Sequence, residues 1–359
     1  MLYSEIRRPS REIRVGSVRI GGKNPVAVQS MTNTRGFEAT LAQMRALEAA
    51  GCDIIRMAVP DMETAETLYK LKNAGIGMPI VADIHFDYRL AIAAADAGAD
   101  KIRINPGNIG SAERTRAVAQ KCREKGIAIR VGVNSGSLDK EKLAKFGGVT
   151  PEALAESALE NVRLLEACDF TDIVIAVKSS SPYKMAAANR IVAEAVDYPI
   201  HLGVTEAGTA SLGAVKGAAG IGGLLLTGVG DTLRVSLTAD PVEEVKAGIA
   251  ILKACGFYEK NTVELVSCPT CGRTKINLIP IAEEFERRAA GLRLSRPVKA
   301  AVMGCVVNGP GEAADADVGI AGGDGEAVLF SHGKIIRKIP ESGIVEALLD
   351  EVKKIGGAD

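Results

Sequence analysis

Short apolar runs alternate with amphipathic, alanine-rich segments from residue 25 to about residue 255. The short runs are typical of buried parallel strands, and the longer segments, with apolar residues three or four positions apart, are typical of helices. The pattern therefore predicts eight strands separated by helices. The predicted strands are Val26–Gln29, Asp53–Arg56, Ile80–Asp83, Lys101–Ile104, Ala128–Val133, Asp172–Val177, Ile200–Val204 and Leu224–Thr227.

The segments between these strands end in residues that are typical of helix termini. Glycine follows five of them, as expected at a helix C-terminus, at Gly51, Gly75, Gly98, Gly126 and Gly256. The predicted helices are Glu38–Ala50, Glu63–Ala74, Tyr88–Ala97, Ala112–Lys125, Pro151–Ala167, Lys184–Ala195 and Pro241–Ala254. Eight strands within about 230 residues favour a (β/α)8 barrel. A doubly wound sheet, the alternative, normally has a glycine-rich turn after its first strand, and residues 30–34 (SMTNT) form no such turn.

Two further parts of the chain have other patterns. Residues 13–20 alternate around a Gly-Ser turn and predict a hairpin that covers the lower end of the barrel. After residue 256 a mixed pattern predicts a small α+β domain, so we expect domains at 1–258 and 259–359. Its predicted elements are Val263–Val266, Leu278–Ala290, Val298–Val302, Val318–Ala321, Ala327–Phe330, Lys334–Lys338 and Ser342–Lys354, the second and the last being helices.

Composition excludes several classes of protein. Lysine plus arginine and aspartate plus glutamate both total 44 and tryptophan is absent, which argues against a general nucleic-acid binder. The N-terminus has no signal-peptide pattern, and no apolar run is long enough to span a bilayer. Seven cysteines at irregular spacing do not suggest a disulfide framework, so we expect a cytoplasmic protein.

Polar residues follow the predicted strands, where barrels carry their chemistry. They are Arg56, Asp83 with His85, Arg103 with Asn105, Arg130 with Asn134, Lys178, Thr205 with Glu206, and Asp231–Ser236 with Arg234. Four cations from four strands facing one mouth would repel one another without an anion. Because arginine matches phosphate geometry, a phosphorylated substrate is the natural counter-charge. The alternative is that individual arginines pair with carboxylates as rim charges.

Other residues near the strand ends have less certain roles. The run from Gly228 to Asp231 would follow the eighth strand, where barrels often bind phosphate through backbone N–H groups. Glu206 is either a general acid in a dry mouth or a counter-charge for the arginines. For His85 a ligand role and a structural role are equally open, whereas His201 and His332 are interpreted as structural.

The small domain carries a candidate metal site. Cys268 and Cys271 form a C-x-x-C pair, 33 residues separate Cys271 from Cys305, and Glu312 follows soon after that. Three thiolates with a carboxylate would suit an iron–sulfur cluster whose carboxylate-held iron is easily vacated. A redox dithiol and a zinc ribbon remain alternatives, although a dithiol would not need Cys305 and a ribbon would need a second C-x-x-C. The remaining cysteines are interpreted as small core residues: Cys52, Cys122, Cys168 and Cys255.

Long motifs around these residues resemble one known family, the 4-hydroxy-3-methylbut-2-enyl diphosphate synthases of the methylerythritol phosphate route to isoprenoids. The resemblance extends over the whole chain and matches the two-domain bacterial form. The motifs that carry it are VQSMT at 28–32, GVTEAG at 203–208, SCPTCGRT at 267–274 and MGCVVNGPGE at 303–312.

The resemblance implies a reaction and a set of site residues. The reaction is the two-electron reductive ring opening of 2-C-methyl-D-erythritol 2,4-cyclodiphosphate, with electrons from reduced ferredoxin or flavodoxin. One [4Fe–4S] cluster per chain would be held by Cys268, Cys271, Cys305 and Glu312. Glu206 would donate the proton. The implied substrate contacts are Arg56, His85, Arg103, Asn105, Arg130, Asn134, Lys178 and Ser236.

The resemblance also implies a head-to-tail homodimer, in which the small domain of one protomer caps the barrel of its partner. Two other functions stay open at this point. One is a barrel lyase or synthase for a phosphorylated ligand with a structural zinc domain. The other is an iron–sulfur carrier or sensor without catalytic activity.

Overall fold

The computed structural model describes residues 6–258, 260–306, 313 and 315–357. The chain divides into two compact units, Met1–Tyr258 and Glu259–Asp359. Each unit has a buried apolar core of its own, which is the physical requirement for a domain.

The first unit is the predicted barrel of parallel strands. Each barrel strand pairs with the next along the chain, and the last pairs with the first, Thr232 opposite Ala27. Parallel bridges from Ile175 to Ile200 and from Ser179 to Val204 close the remaining seam. In chain order the strands are β1 (Ile13–Val15), β2 (Val18–Ile20), β3 (Ala27–Met31), β4 (Ile54–Ala58), β5 (Ile80–Asp83), β6 (Lys101–Ile104), β7 (Ala128–Asn134), β8 (Ile173–Lys178), β9 (His201–Leu202) and β10 (Thr232–Leu233), of which β3 to β10 form the barrel.

The helices of this unit begin and end at recognisable caps. Asp61, Ser111 and Thr150 each accept a hydrogen bond from the backbone N–H three residues later, which satisfies a first-turn donor. The five predicted C-terminal glycines all have positive φ. The helices are α1 (Phe37–Ala49), α2 (Met62–Lys72), α3 (Tyr88–Asp96), α4 (Pro106–Ile109), α5 (Ala112–Lys125), α6 (Lys140–Lys145), α7 (Pro151–Glu166), α8 (Pro182–Ala195), α9 (Ala210–Gly217), α10 (Gly223–Leu225) and α11 (Pro241–Ala254).

The predicted eighth strand, Leu224–Thr227, is wrong. Leu224 and Leu225 end a helical stretch that runs from α9 through a π-helical turn at Ala218–Gly222 into α10. Glycine is a poor helix former, so the glycines of this stretch hide its helical pattern in the sequence. They also let the helix pack closely against its neighbours, since a Cβ at Gly220 would lie 2.8 Å from both Met185 Cε and Val204 Cγ2. The strand itself lies further along the chain, at β10.

This shift also overturns the predicted phosphate-binding role of the run from Gly228 to Asp231. These residues precede β10, so they lie at the amino-terminal end of the barrel, opposite the mouth. Asp231 pairs there with Arg7 at 2.9 Å and accepts a hydrogen bond from the Ile200 backbone N–H at 2.8 Å. Its role is to fasten the N-terminal segment to the barrel.

The predicted hairpin is confirmed as the floor of the barrel. Strands β1 and β2 pair antiparallel, and their buried residues Ile13, Val15 and Ile20 pack inside the lower end. The barrel residues that they contact are the inward-facing ones nearest the amino-terminal ends of the strands. These are Ala27, Ile54, Val81, Ala128 and Val174.

Above this apolar floor the barrel interior becomes polar. Because neighbouring strands are staggered, alternate strands contribute inward side chains at the same level. Lys101 and Thr232 lie at one level, Gln29, Arg130 and His201 lie at the next level towards the mouth, and all five are buried. His201 Nδ1 lies 2.7 Å from Thr232 Oγ1. Burial, followed by neighbouring cations, lowers the pKa of His201 well below its ordinary value, so the ring is neutral, in line with its structural interpretation.

The second unit is a five-stranded mixed sheet covered by two helices. Its first three strands are parallel and its last two antiparallel, in the order in which they occur in the chain. The elements lie within about two residues of their predicted bounds, because their apolar periodicity was strong. They are β11 (Val263–Ser267), α12 (Leu278–Ala289), β12 (Val298–Met303), β13 (Val318–Gly322), β14 (Glu326–Ser331), β15 (Lys334–Pro340) and α13 (Ile344–Gly356).

Among the described residues, no helix has both the length and the apolar composition needed to cross a bilayer.

Candidate active site and cluster ligands

The mouth of the barrel contains a small cationic cavity of about 50 Å³. Six of the predicted substrate contacts line this cavity. Thr205 and Arg234, which were also predicted to lie at strand ends, line it as well. Two further lining residues, Gly132 and Ala176, were not singled out in the sequence. The six are Arg56, Arg103, Arg130, Asn134, Lys178 and Ser236. They come from five different barrel strands or from the residues just after them, so only closure of the barrel brings them together.

Asp83, at the end of β5, holds two of these arginines. Its carboxylate lies 2.9 Å from Arg56 Nη2 and accepts a hydrogen bond from Arg103 Nη1 at 3.0 Å, and His85 Nε2 is 3.5 Å away. Burial by itself raises the pKa of Asp83, but Arg56, His85, Arg103 and Arg130 outweigh it and lower the pKa well below its ordinary range. The carboxylate is therefore ionised at neutral pH and fixes both guanidinium groups.

A second buried carboxylate holds Arg234. Glu244, on α11, accepts hydrogen bonds from Arg234 Nε at 3.1 Å and from Nη2 at 3.0 Å. It also accepts one from the Leu237 backbone N–H, at 3.0 Å. This bidentate pair orients the guanidinium at the edge of the cavity.

Arg130 and Lys178 form no ion pair with any carboxylate of the described residues. Both are buried, and Arg130 Nε and Nη2 have no hydrogen-bond partner among those residues. Burial first, and then the neighbouring guanidinium groups, lower the pKa of Lys178 well below its ordinary value, and the same causes act on Arg130. A bound anion would oppose both causes, so the cavity is electrostatically suited to an anionic group.

Three predicted site residues lie outside the lining of this cavity. His85 is 58 % exposed at its side chain and lies beside Asp83 on the loop after β5. Asn105 is buried and caps α4 by accepting a hydrogen bond from the Gly107 N–H at 3.2 Å. Glu206 follows the lining residue Thr205 and has a φ of 52°, in the left-handed region that non-glycine residues seldom adopt. All three lie just past the carboxyl ends of barrel strands.

The cysteines of the second unit lie at the carboxyl ends of neighbouring strands. Cys268 follows β11 directly, and Cys305 comes two residues after β12, whose Val302 pairs with Ser267. The Gly304 N–H donates a hydrogen bond to Cys268 Sγ at 3.2 Å, and the Lys275 N–H donates to the Gly304 carbonyl at 2.9 Å. These bonds join the loop of the C-x-x-C pair to the loop that carries Cys305.

The donor set fits an iron–sulfur cluster. The backbone N–H of Arg273, and then its guanidinium with Thr274, favour the thiolate and lower the pKa of Cys271, against the opposing effect of burial. A backbone N–H directed at a cysteine sulfur, as at Cys268, is the kind of contact that tunes such clusters. Glu312 lies outside the described residues, within which no three His, Cys, Asp or Glu side chains are grouped closely enough to hold a metal ion.

The comparison with protein families now identifies the chain. A family model described as the GcpE TIM-barrel domain matches residues 10–249, and one described as the GcpE protein C-terminal domain matches residues 264–354. The chain belongs to the GcpE family. The resemblance inferred from the motifs is therefore confirmed, and so is the barrel fold.

Curated relatives of this GcpE chain match it over nearly their whole length. A protein of Caldanaerobacter subterraneus subsp. tengcongensis is 55 % identical over 98 % of this chain and 98 % of its own, and one of Clostridium tetani is 54 % identical over 97 % and 99 %. Both are named 4-hydroxy-3-methylbut-2-en-1-yl diphosphate synthase (flavodoxin). Among solved structures, a type I 3-dehydroquinate dehydratase of Clostridium difficile covers 69 % of this chain and 98 % of its own, with a TM-score of 0.51 and 15 % identity. That likeness shows the barrel fold alone.

Besides Ala176, two residues of the GcpE mouth were missed by sequence reasoning. Glu244 lies on a helix face far from any strand end, and only packing brings it to Arg234. Gly132 lies within β7, two residues from both Arg130 and Asn134, so its position faces the barrel interior as theirs do. This period of two was the one available signal.

Proposed function

We infer that this GcpE chain is a 4-hydroxy-3-methylbut-2-en-1-yl diphosphate synthase, an oxidoreductase that opens 2-C-methyl-D-erythritol 2,4-cyclodiphosphate reductively. The observation that carries this inference is the identity of 55 % with a relative of that name over 98 % of both chains. The cationic cavity supports it independently, since a cyclic diphosphate supplies the charge that Arg130 and Lys178 lack.

In this proposal the cavity residues act in two groups. Arg56 and Arg103, fixed by Asp83, provide a preorganised pair of guanidinium groups for one phosphoryl group. Arg130 and Lys178 provide the charge that is still unpaired. Asn134 and Ser236 line the same cavity and offer neutral hydrogen bonds. His85 and Asn105, on the loops beside the cavity, are proposed as further contacts at its edge.

Glu206 is proposed as the proton donor. Its neighbour Thr205 lines the cavity, and its left-handed φ is the kind of backbone strain that proteins retain at functional sites. The reaction takes up two electrons and releases one substrate hydroxyl as water, which requires a proton at the leaving oxygen. A carboxylic acid beside the cationic mouth is suited to deliver it.

We propose that Cys268, Cys271, Cys305 and Glu312 hold one [4Fe–4S] cluster per chain. When bound, the cluster would supply single electrons and an iron with Lewis acidity. The chain itself contributes the N–H of Gly304 to the Cys268 sulfur, and it contributes the Arg273 donors, which favour the thiolate, to Cys271.

The partners are proposed on the same basis. The names of the relatives include flavodoxin, which supports flavodoxin as the electron donor, with ferredoxin as the alternative. A head-to-tail homodimer would bring the cluster of one protomer to the barrel of its partner. The cytoplasmic location expected from the cysteine pattern stays a prediction.

Anaerobic purification followed by a turnover assay tests the proposal. Brown protein with about four iron and four sulfide per chain, which converts the cyclic diphosphate when reduced flavodoxin is supplied, is the expected result. Colourless protein with one zinc would favour a barrel enzyme with a structural zinc domain. A cluster whose spectrum is unchanged by the cyclic diphosphate would favour an electron carrier.

A complementation assay tests the shared site of the homodimer. Cys305→Ala and Glu206→Gln chains, each inactive alone, should regain part of the activity after subunit exchange, because one of the two mixed sites has both residues intact. Exchange without any recovery would contradict a site formed by two chains.

A further inference from the structure

The level of the barrel that carries Asp83 contains two positions without a side chain. The strand registers place Met31, Asp83, Gly132 and Gly203 at this level, directly above the level of Arg56, Arg103 and Arg234. Other inward-facing positions of the barrel are filled by larger side chains, as packed barrel interiors require. The space at Gly132 and Gly203 therefore needs a physical explanation.

At Gly132 that space is occupied by the guanidinium of Arg103. A Cβ placed on Gly132 would lie 3.0 Å from Arg103 Nη2 and 3.1 Å from Cζ, and closer still to Nε. Arg103 Nη2 also donates a long hydrogen bond of 3.4 Å to the Gly132 carbonyl. The guanidinium thus lies against the glycine while its Nη1 donates a hydrogen bond to Asp83.

At Gly203 the neighbour is the other kind of cation. A Cβ there would lie 3.1 Å from Lys178 Nζ and 3.2 Å from Cε, as well as 2.9 Å from the Arg234 carbonyl. Gly132 and Gly203 have no positive φ, so backbone conformation does not explain why they are glycines. Contact with cations is the property that the two positions share.

We propose that Gly132 is a positioning residue of the anion site, which lets the Arg103 guanidinium lie in the cavity and point at a phosphoryl group. Gly203 also lies against a cation, Lys178, but there the Arg234 carbonyl by itself excludes a Cβ. The inference rests on the proposed function in one respect, that the anion is a diphosphate. It adds that the specificity of the mouth depends on the absence of a side chain at position 132, and not only on the presence of the cations.

The nature of the clash makes the idea testable. Backbone atoms cannot yield, but Arg103 is a flexible side chain, so a methyl group at position 132 should displace the guanidinium and leave the strand intact. Displacement would break the hydrogen bond to Asp83 and move the donors out of the cavity. Gly136, just after β7, has no atom within 4 Å of its would-be Cβ and no positive φ, so Gly136→Ala is a matched control.

The experiment is titration calorimetry with inorganic pyrophosphate on the cluster-loaded full chain. Gly132→Ala should bind pyrophosphate about ten- to a hundredfold more weakly, the usual effect of losing one charge-assisted contact. Gly136→Ala should bind as the unaltered chain does and keep its thermal midpoint, whereas the midpoint of Gly132→Ala should fall, because Arg103 loses its buried hydrogen bond to Asp83. Full affinity in Gly132→Ala would overturn the proposal.

A double-variant cycle shows whether the effect acts through Arg103. Alanine at position 103 has no side-chain atom at the clashing place, so Gly132→Ala added to Arg103→Ala should change the affinity less than about threefold. A further loss as large as in the native background would overturn the proposal. If Gly132→Ala alone did not fold, the comparison of Arg103→Ala with the double variant would still decide.

The unaltered chain separates this inference from the proposed function. If it bound no pyrophosphate, the anion site itself would fail. If it bound pyrophosphate and Gly132→Ala bound it equally well, the site would stand and the role of Gly132 would fail.

Discussion

Removal of the Asp83 charge is the most informative test of how the mouth is held together. Asp83→Asn keeps the size of the side chain but leaves Arg56 and Arg103 without their shared carboxylate. The Asp83 side chain is fully buried, and those of Arg56 and Arg103 are 13 % and 9 % exposed. Solvent therefore replaces little of the lost interaction.

The expected loss of unfolding free energy at pH 7 is about 3–5 kcal/mol, the usual cost of removing one partner from a buried ion pair. The loss should depend on pH in a defined direction. Because the folded-state pKa of Asp83 is depressed, its stabilisation is fully present above the unfolded-state pKa of about 3.9 and is lost as the pH falls towards the folded-state pKa. The difference between the two proteins should shrink by about 1.4 kcal/mol for each pH unit below about 3.9.

Urea unfolding followed by far-ultraviolet circular dichroism, from pH 7 down to pH 2.5, measures both effects. Asp96→Asn is the matched control, since Asp96 also pairs with two cations, Lys121 at 3.3 Å and Lys125 at 3.1 Å, but on the exposed surface. It should cost less than about 1 kcal/mol. A loss below about 1 kcal/mol for Asp83→Asn at pH 7, or a difference from the unaltered chain that is independent of pH, would refute the reasoning.

Three further predictions concern other parts of the chain. Burial and four neighbouring guanidinium groups lower the pKa of Lys178, so pyrophosphate binding should take up a proton. The affinity should therefore fall by up to about tenfold per pH unit as the pH rises above that pKa. Calorimetry in buffers of different ionisation enthalpy would measure both effects. Glu312→Cys should keep the iron content and lose most turnover if the carboxylate is a removable ligand, and unchanged turnover would contradict this. Gly228→Ala should lower the thermal midpoint by several degrees without changing the pyrophosphate affinity. The reason is that φ of Gly228 is 81° and that a Cβ would meet the backbone of Ile6 at the amino-terminal end of the barrel. A weakened affinity would argue against the location of Gly228 at that end.

The sequence was most informative where one signal acted locally. Strands β5 and β6 and helices α5 and α11 lie at their predicted bounds, because apolar periodicity and terminal glycine or proline agree there. It failed at Leu224–Thr227, where an apolar run that looks like a strand is the end of a helix that glycines obscure. Periodicity cannot distinguish a short buried strand from a buried helical turn.

The sequence by itself determined the order of the elements, the cations at the strand ends and the motifs of the GcpE family, since each of these depends on residues close together in the chain. Only the tertiary structure decided which charges pair, because Asp83 with Arg103 and Glu244 with Arg234 meet through barrel closure and helix packing. It also moved the run from Gly228 to Asp231 to the opposite end of the barrel and revealed that Gly132 makes room for Arg103. Contacts of this kind depend on where backbones approach in space, which no local pattern of residues specifies.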